Sequence, residues 1–306
     1  MDGCRSDRRA SARSASVRVL FQRHIMPELP EVDHVACLLR RLVCGKRIAS
    51  VSLYRDGLIR GLEPRRFESE VQGSHISAVD RRGKYILVYL SNGKTLIVHL
   101  RMTGSFVYGK RDWQDRQFTR LVFRFDDGSK LGYEDVRNLG VMKLAQTDRL
   151  SEVKELAELG PEPLSPEFTV DYLQNVLAQS RRSIKEFLLD QTKIAGLGNI
   201  YAAEALFRAG INPTKKAFSI ARSKERLNKL HRSIYQTISG AIHSRGDAAI
   251  HFHLLDADGS IVSEGAGGER FFVYDREGEP CLVCGSKIRR IKQGARSTYY
   301  CPKCQR

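Results

Sequence analysis

The chain has 306 residues, 42% of them hydrophobic and 28% charged, which is enough to bury a core spread over two or three domains. Its net charge of +16 points to a polyanionic partner, with nucleic acid the first explanation and an anionic membrane surface the rival. No apolar run approaches the roughly 20 residues of a membrane-spanning helix, so integral insertion by helices is excluded.

Residues 1–26 hold six arginines and two aspartates among many Ser and Ala, with one short apolar run at Val17–Phe21, and predict no regular element. Three readings stand for them: an upstream start codon wrongly chosen, a removable leader, or a retained basic tail. The first two would expose Pro27 in Met26-Pro27-Glu28-Leu29-Pro30-Glu31. A proline with a free nitrogen is a secondary amine of pKa roughly 7.7–8.0, partly neutral and nucleophilic near neutrality, whereas inside a chain it is an inert amide. Adding such an amine to a masked aldehyde, as in abasic deoxyribose, gives a cationic iminium that acts as an electron sink.

From Glu31 the apolar positions Val32, Val35, Ala36, Leu39, Leu42 and Val43 predict a helix that stops near Gly45. Strands are predicted at Tyr85–Leu90, Thr95–Leu100, Leu121–Phe125 and Lys130–Tyr133, with hairpin turns at Asn92-Gly93 and Asp127-Gly128. This first part reads as an antiparallel β-sandwich with one N-terminal helix. Around Gly160–Pro166 the chain becomes loop-like, and the pattern beyond it turns helical. Ser183 and Glu186 have capping-box spacing, and a turn at Lys193–Gly198 leads into a helix over Asn199–Ala209. A longer helix follows, with Leu227, Leu230, Ile234, Ile238 and Ile242 on one face and Gly246 at its end. Residues 247–270 are Gly-rich and read as a loop.

Of seven cysteines, Cys4, Cys37 and Cys44 are scattered, while Cys281-x2-Cys284 and Cys301-x2-Cys304 have the spacing of a four-thiolate zinc site across a hairpin, in a reducing compartment. Four sulfurs leave no open coordination position, so the predicted cofactor is one structural zinc ion. Between the pairs lie Lys287, Arg289, Arg290, Lys292 and Arg296, with no acid from Cys281 onward, a finger suited to phosphates. Gly196 and Gly198, just before Asn199, allow close backbone approach at a helix N-terminus, where free N–H groups attract anions; an ordinary helix connection explains them equally well. Lys84 beside a strand reads locally as a solvated lysine, and Glu28 as either a helix-start acid or a proton shuttle beside the Pro27 amine.

Taken in order, Met26-Pro27-Glu28-Leu29-Pro30-Glu31, Arg82-Gly83-Lys84-Tyr85, Gly196-Leu197-Gly198-Asn199-Ile200-Tyr201 and the four-Cys finger with Ala295-Arg296-Ser297 resemble the bacterial formamidopyrimidine-DNA glycosylases from Met26 to the C-terminus. The resemblance implies an α+β fold: a catalytic β-sandwich with an N-terminal helix (residues 27–158), a helix-two-turn-helix domain (159–277) with a lesion-reading loop (247–270), and a C-terminal zinc-binding β-hairpin (278–306), preceded here by the extension 1–26. It implies Pro27 as nucleophile, Glu28 as acid/base, Lys84 as the phosphate-contacting lysine that assists elimination, Asn199 with Gly196 and Gly198 at a phosphate, and Arg296 on the lesion-flanking phosphates. Met102, Arg137 and Leu139 match the trio that fills the gap left by the flipped nucleotide, with Leu139 where phenylalanine is usual; without the resemblance, Met102 and Leu139 read as core residues. The implied activity is excision of oxidised purines followed by β,δ-elimination, on double-stranded DNA, in a bacterial cytoplasm, with organelle targeting by residues 1–26 as the alternative; a monomer is the default expectation, since nothing in the sequence suggests a self-complementary surface. Gly246-Asp-Ala-Ala-Ile250 and Ile261–Gly268 depart from the family's loop and put the lesion preference in question. Two other readings remain: the sister group that prefers oxidised pyrimidines, against which Leu29 argues, and a DNA-binding protein that has lost the reaction.

Overall fold

The first helix, α1 (Leu29–Val43), begins at Leu29 rather than at Glu31, because Glu28 and Glu31 close a capping box in front of it and Pro30 presets the first turn. The computed structural model describes residues 26–110, 113–244, 251–256, 260–262 and 271–306. The extension 1–25, Gly246 as a helix stop and Gly246–Ile250 therefore lie outside the described residues. After α1 come β1 (Ile48–Leu53), α2 (Pro64–Val71), β2 (Ile76–Arg82), β3 (Tyr85–Leu90), β4 (Lys94–His99), β5 (Gly104–Gly109), β6 (Thr119–Phe125), β7 (Lys130–Asp135) and β8 (Val141–Gln146). Both predicted hairpins are present, β3–β4 turning at Asn92-Gly93 and β6–β7 at Asp127-Gly128, with each glycine at positive φ. The four strands β2-β3-β4-β8 form one sheet. Val32, Val35, Leu39 and Val43 of α1 pack with Ile86, Val98, Phe106 and Tyr133 in the sandwich core.

The helical part comprises α3 (Lys154–Ala157), α4 (Val170–Ala178), α5 (Ile184–Leu188), α6 (Asn199–Ala209), α7 (Ala217–Ala221) and α8 (Lys224–His243). Ser183 caps α5 with Glu186 in the predicted box, and Gly210 at φ 68° ends α6. Leu227, Leu230, Ile234 and Ile238 of α8 are buried as the periodicity requires, while Ile242 is only partly covered. Leu29 belongs to this second core and not to the first, so α1 straddles the two lobes within one turn.

One expectation is corrected. Residues 247–270 contain regular structure: β9 (Phe252–Leu255) and β10 (Ile261–Val262) extend the second sheet to the order β1-β6-β7-β5-β9-β10. β9 runs parallel to β5, so the sandwich is not wholly antiparallel. The reason is an edge: β5 has an unpaired side that β9 fills, burying Phe252 and Leu255. The chain ends in the hairpin β11 (Arg289–Gln293) and β12 (Arg296–Tyr300).

Candidate active site

Glu28 sits at the junction of the lobes, 1% exposed, with its carboxylate accepting the N–H of Ile200 at 2.8 Å and of Tyr201 at 3.2 Å. These are orphan donors in the first turn of α6, so the anion at this helix terminus is the protein's own Glu28. Gly196 and Gly198 make the approach possible. A Cβ on Gly198 would stand 2.3 Å from the Glu28 carboxyl carbon, and one on Gly196, at φ 87°, would stand 2.5 Å from Leu29 Cδ1. The close approach that these glycines serve is thus that of the segment carrying Pro27, which is itself buried directly before Glu28.

Burial pushes the Glu28 carboxyl up from its ordinary range, against the Lys84 charge and the α6 N–H groups, which favour the ionised form. Glu31, also buried, is pushed up to about 7; the hydrogen bond from the Tyr201 hydroxyl opposes the shift and the Glu28 charge adds to it. Lys84, 7% exposed, lies in the β2–β3 turn and faces both carboxylates. Burial lowers its pKa, Glu28 and Glu31 oppose this, and the Arg296 charge adds to the lowering. Lys185, at the start of α5, is pushed down to about 7 by burial, within reach of the Glu28 and Arg296 charges. The tertiary fold therefore brings Glu28, Lys84 and Arg296 into one electrostatic neighbourhood beside Pro27, although they are spread over the sequence.

Asn199 occupies the first position of α6, close to the Tyr274 side chain, and its side-chain oxygen has no partner among the described residues. Arg296 is exposed at the hairpin tip. Lys185 holds that hairpin in place by donating to the Ser297 carbonyl at 3.0 Å and to Thr298 Oγ1 at 2.8 Å. The four cysteine Sγ atoms lie within 4.8 Å of one another, with Cys281 and Cys304 3.9 Å apart and Cys284 and Cys301 3.5 Å apart. A tetrahedron of bonds of about 2.3 Å requires sulfurs about 3.8 Å apart, so the cluster fits one zinc ion.

Met102, Arg137 and Leu139 lie on the β4–β5 and β7–β8 loops at the lip of the sandwich. Arg137 Nη1 contacts Met102 Sδ at 2.9 Å, and Leu139 is 40% exposed. One buried carboxylate links the two loops: Asp135 accepts from Thr103 Oγ1 and from the Gly140 N–H at 2.7 Å, and Thr103 Oγ1 in turn accepts the Arg137 N–H at 3.1 Å. His99 lies at the base of the first loop, accepting the Arg101 N–H on Nδ1 at 3.1 Å. Burial first, then the Arg101 and Lys84 charges, lower its pKa to about 3, so it stays neutral. Sequence reading missed Glu31, Lys185, Asp135 and Thr103 as parts of the site. Each carried only an indirect signal: Glu31 closes the Met26–Glu31 motif, Lys185 lies inside the Ser183–Glu186 capping box, and Thr103 and Asp135 stand beside Met102 and Arg137.

The comparisons agree with this geometry. The formamidopyrimidine-DNA glycosylase N-terminal domain matches residues 26–142, the H2TH domain of the same enzymes matches 159–252, and the zinc finger found in FPG and IleRS matches 278–306. The formamidopyrimidine-DNA glycosylase of Pelotomaculum thermopropionicum is 42% identical, over 92% of this chain and 99% of its own length. That of Bacillus subtilis is 39% identical, over 92% and 99%. Among solved structures, Lactococcus lactis Fpg in complex with DNA containing an abasic site aligns with a TM-score of 0.80 at 32% identity, over 91% of this chain and 99% of that one. MutM in complex with DNA containing carbocyclic 8-oxo-G aligns with a TM-score of 0.80 at 32% identity, over 92% and 100%. Fold, glycine-packed junction and four-cysteine finger converge: this chain belongs to the formamidopyrimidine-DNA glycosylase family, the zinc-finger DNA glycosylases of base excision repair.

Proposed function

We propose that the chain excises oxidised purines, 8-oxoguanine and formamidopyrimidines, from duplex DNA through a Schiff base on Pro27, and then cleaves the strand by β,δ-elimination. The observation that carries this reading is the buried Glu28 carboxyl, held rigidly by α6 next to Pro27 and facing Lys84. With its amine free, Pro27 attacks C1′ of the extruded nucleotide as the C1′–base bond breaks. Glu28, kept protonatable by burial, supplies a proton as the sugar ring opens. The iminium then draws the electrons of the C2′–H bond toward nitrogen as water takes the proton, and the 3′-phosphate leaves; a second elimination, with a C4′ proton lost to water, expels the 5′-phosphate. Lys84 and Arg296 place positive charge where these phosphates lie, and Asn199 adds an amide at the same cleft. A monomer suffices, because one copy supplies every group. Solved relatives support the substrate class, having been captured with DNA containing carbocyclic 8-oxo-G and N7-benzyl-Fapy-dG.

The reaction requires a free Pro27 nitrogen, through a start at Met26 with removal of that methionine or through processing. Borohydride trapping on lesion-containing duplex, with protein beginning at Pro27, tests it. A covalent adduct that maps to Pro27 is expected, and its absence would sink the catalytic reading. Because Met26 acylates Pro27 in the chain as written, the full-length chain is expected to bind such DNA without forming the adduct.

A further inference from the structure

Lys84 has no hydrogen bond or ion pair among the described residues to fix its position, yet the loop that carries it is tightly held. The hold comes from Glu162, in the linker between the lobes. Its carboxylate accepts from Arg81 Nη1 at 2.8 Å, from Arg82 Nη1 at 3.2 Å and from the Gly83 N–H at 2.7 Å. Arg82 also donates to the Leu159 and Gly160 carbonyls, and Arg81 reaches Asp33 of α1 at 3.0 Å. The same linker grips the other lobe, with Gly160 N–H on the Gln191 carbonyl at 2.9 Å and the Pro161 carbonyl accepting the Ala195 N–H at 3.0 Å. A Cβ on Gly160 would stand 2.6 Å from the Lys193 carbonyl oxygen, so the linker has no slack there. The helix that follows Pro27, the turn that carries Lys84 and the turn that leads to Gly198 and Asn199 thus meet at one linker.

We propose that Glu162 is a positioning residue that sets Lys84 against Glu28 and Pro27 by locking the β2–β3 turn to both lobes. The inference rests on the catalytic reading above for its consequence but not for its geometry. Burial works against the Glu162 charge, but Arg81, the Gly83 N–H and Arg82 outweigh it and hold the carboxyl below its ordinary pKa, so the lock is ionic at working pH. A displacement of about 1 Å at a catalytic group costs up to about a hundredfold in rate, so loosening this turn is felt at Lys84.

The test has two arms, on protein beginning at Pro27 and checked for folding by its melting temperature. In the first, amine-directed labelling of Lys84 is followed by peptide mass spectrometry without DNA. Glu162→Ala is expected to raise the labelling rate on the order of tenfold, as a locally released loop exposes its side chain, and Glu162→Gln, which keeps an acceptor for the Gly83 N–H, to raise it less. In the second, single-turnover excision is expected to fall roughly ten- to a hundredfold in Glu162→Ala, yet to change less than about threefold when the same substitution is made on Lys84→Ala, because coupled residues are not additive. Unchanged Lys84 labelling in Glu162→Ala, or an equal rate loss in both backgrounds, overturns the proposal. A wild-type protein that excises nothing defeats the catalytic reading alone, and the labelling arm then decides the positioning.

Discussion

Glu31 keeps its proton to about pH 7 when folded but ionises near its ordinary 4.5 when unfolded, and this has a measurable sign. Below pH 4.5 both states are protonated and the stability is at its full value. Between 4.5 and 7 only the unfolded state releases the proton, so stability falls, by on the order of 3 kcal/mol, and then levels off. Glu31→Gln removes this loss, so the variant's melting temperature relative to wild type is expected to rise between pH 5 and pH 8; an equal difference at both pH values would refute the assignment. Gly198 offers a second test at this scale. A methyl group there collides with the Glu28 carboxyl, so Gly198→Ala is expected to lower excision on the order of a hundredfold. On the proposed reading, in which the exposed basic finger supplies most of the DNA affinity, binding should hardly change. None of this pH behaviour was legible in sequence, because the partners that bury Glu31, including Tyr201, lie far along the chain.

Among the elements, the two lip loops act as a pair. Each contains a non-glycine residue in the left-handed region, Arg101 at φ 58° and Asn138 at φ 57°, a conformation that costs roughly 1–2 kcal/mol and persists only where it is anchored. Asn138 is anchored through its carbonyl, which accepts from Arg55 at 2.6 Å. Across the loops, Thr103→Val removes both the donor to Asp135 and the acceptor for Arg137. It is expected to cost about 1–3 kcal/mol of stability and to slow excision from duplex more than strand cleavage at a single-stranded abasic site, where no gap needs filling. Equal slowing on both substrates would mean that the loops do not serve the wedge. The strands that sequence reading found are apolar runs on either side of Asn92-Gly93 and Asp127-Gly128, and the helices over Asn199–Ala209 and Leu227–Ile242 were legible from period and caps. β1, β2 and β5 were missed because short runs interrupted by Ser, Asp or Gly carry too little alternation, β8 because it holds a single β-branched residue, and β9 because its ordering depends on the open edge of β5.

At the scale of the molecule, the devices that join the lobes among the described residues include α1, whose Leu29 leaves one core for the other; the Glu28 carboxylate on α6; the Glu162 linker; and the parallel pairing of β9 with β5. The finger is a third body, held by zinc within and by Lys185 without. Removal of zinc by chelation is expected to unfold the hairpin locally, to weaken duplex binding and to reduce the steepness of its salt dependence, since phosphate-neutralising arginines are lost. The sandwich melt is expected to survive; its loss together with the finger would show that the lobes do not stand without it.

The sequence by itself determined the parts. Four cysteines at paired spacing, a basic finger, helix caps, hairpin turns and the ordered motifs around Pro27, Lys84, Asn199 and Arg296 are local patterns, and each follows from short-range chemistry. Only the tertiary structure decided how the parts face one another: that Glu28 fills the N-terminus of α6, that Gly196 and Gly198 are small to admit Leu29 and Glu28, and that Glu162 ties Lys84's turn to both lobes. These are contacts between residues far apart in the chain, where burial and opposed charges act through space and leave no periodicity to read.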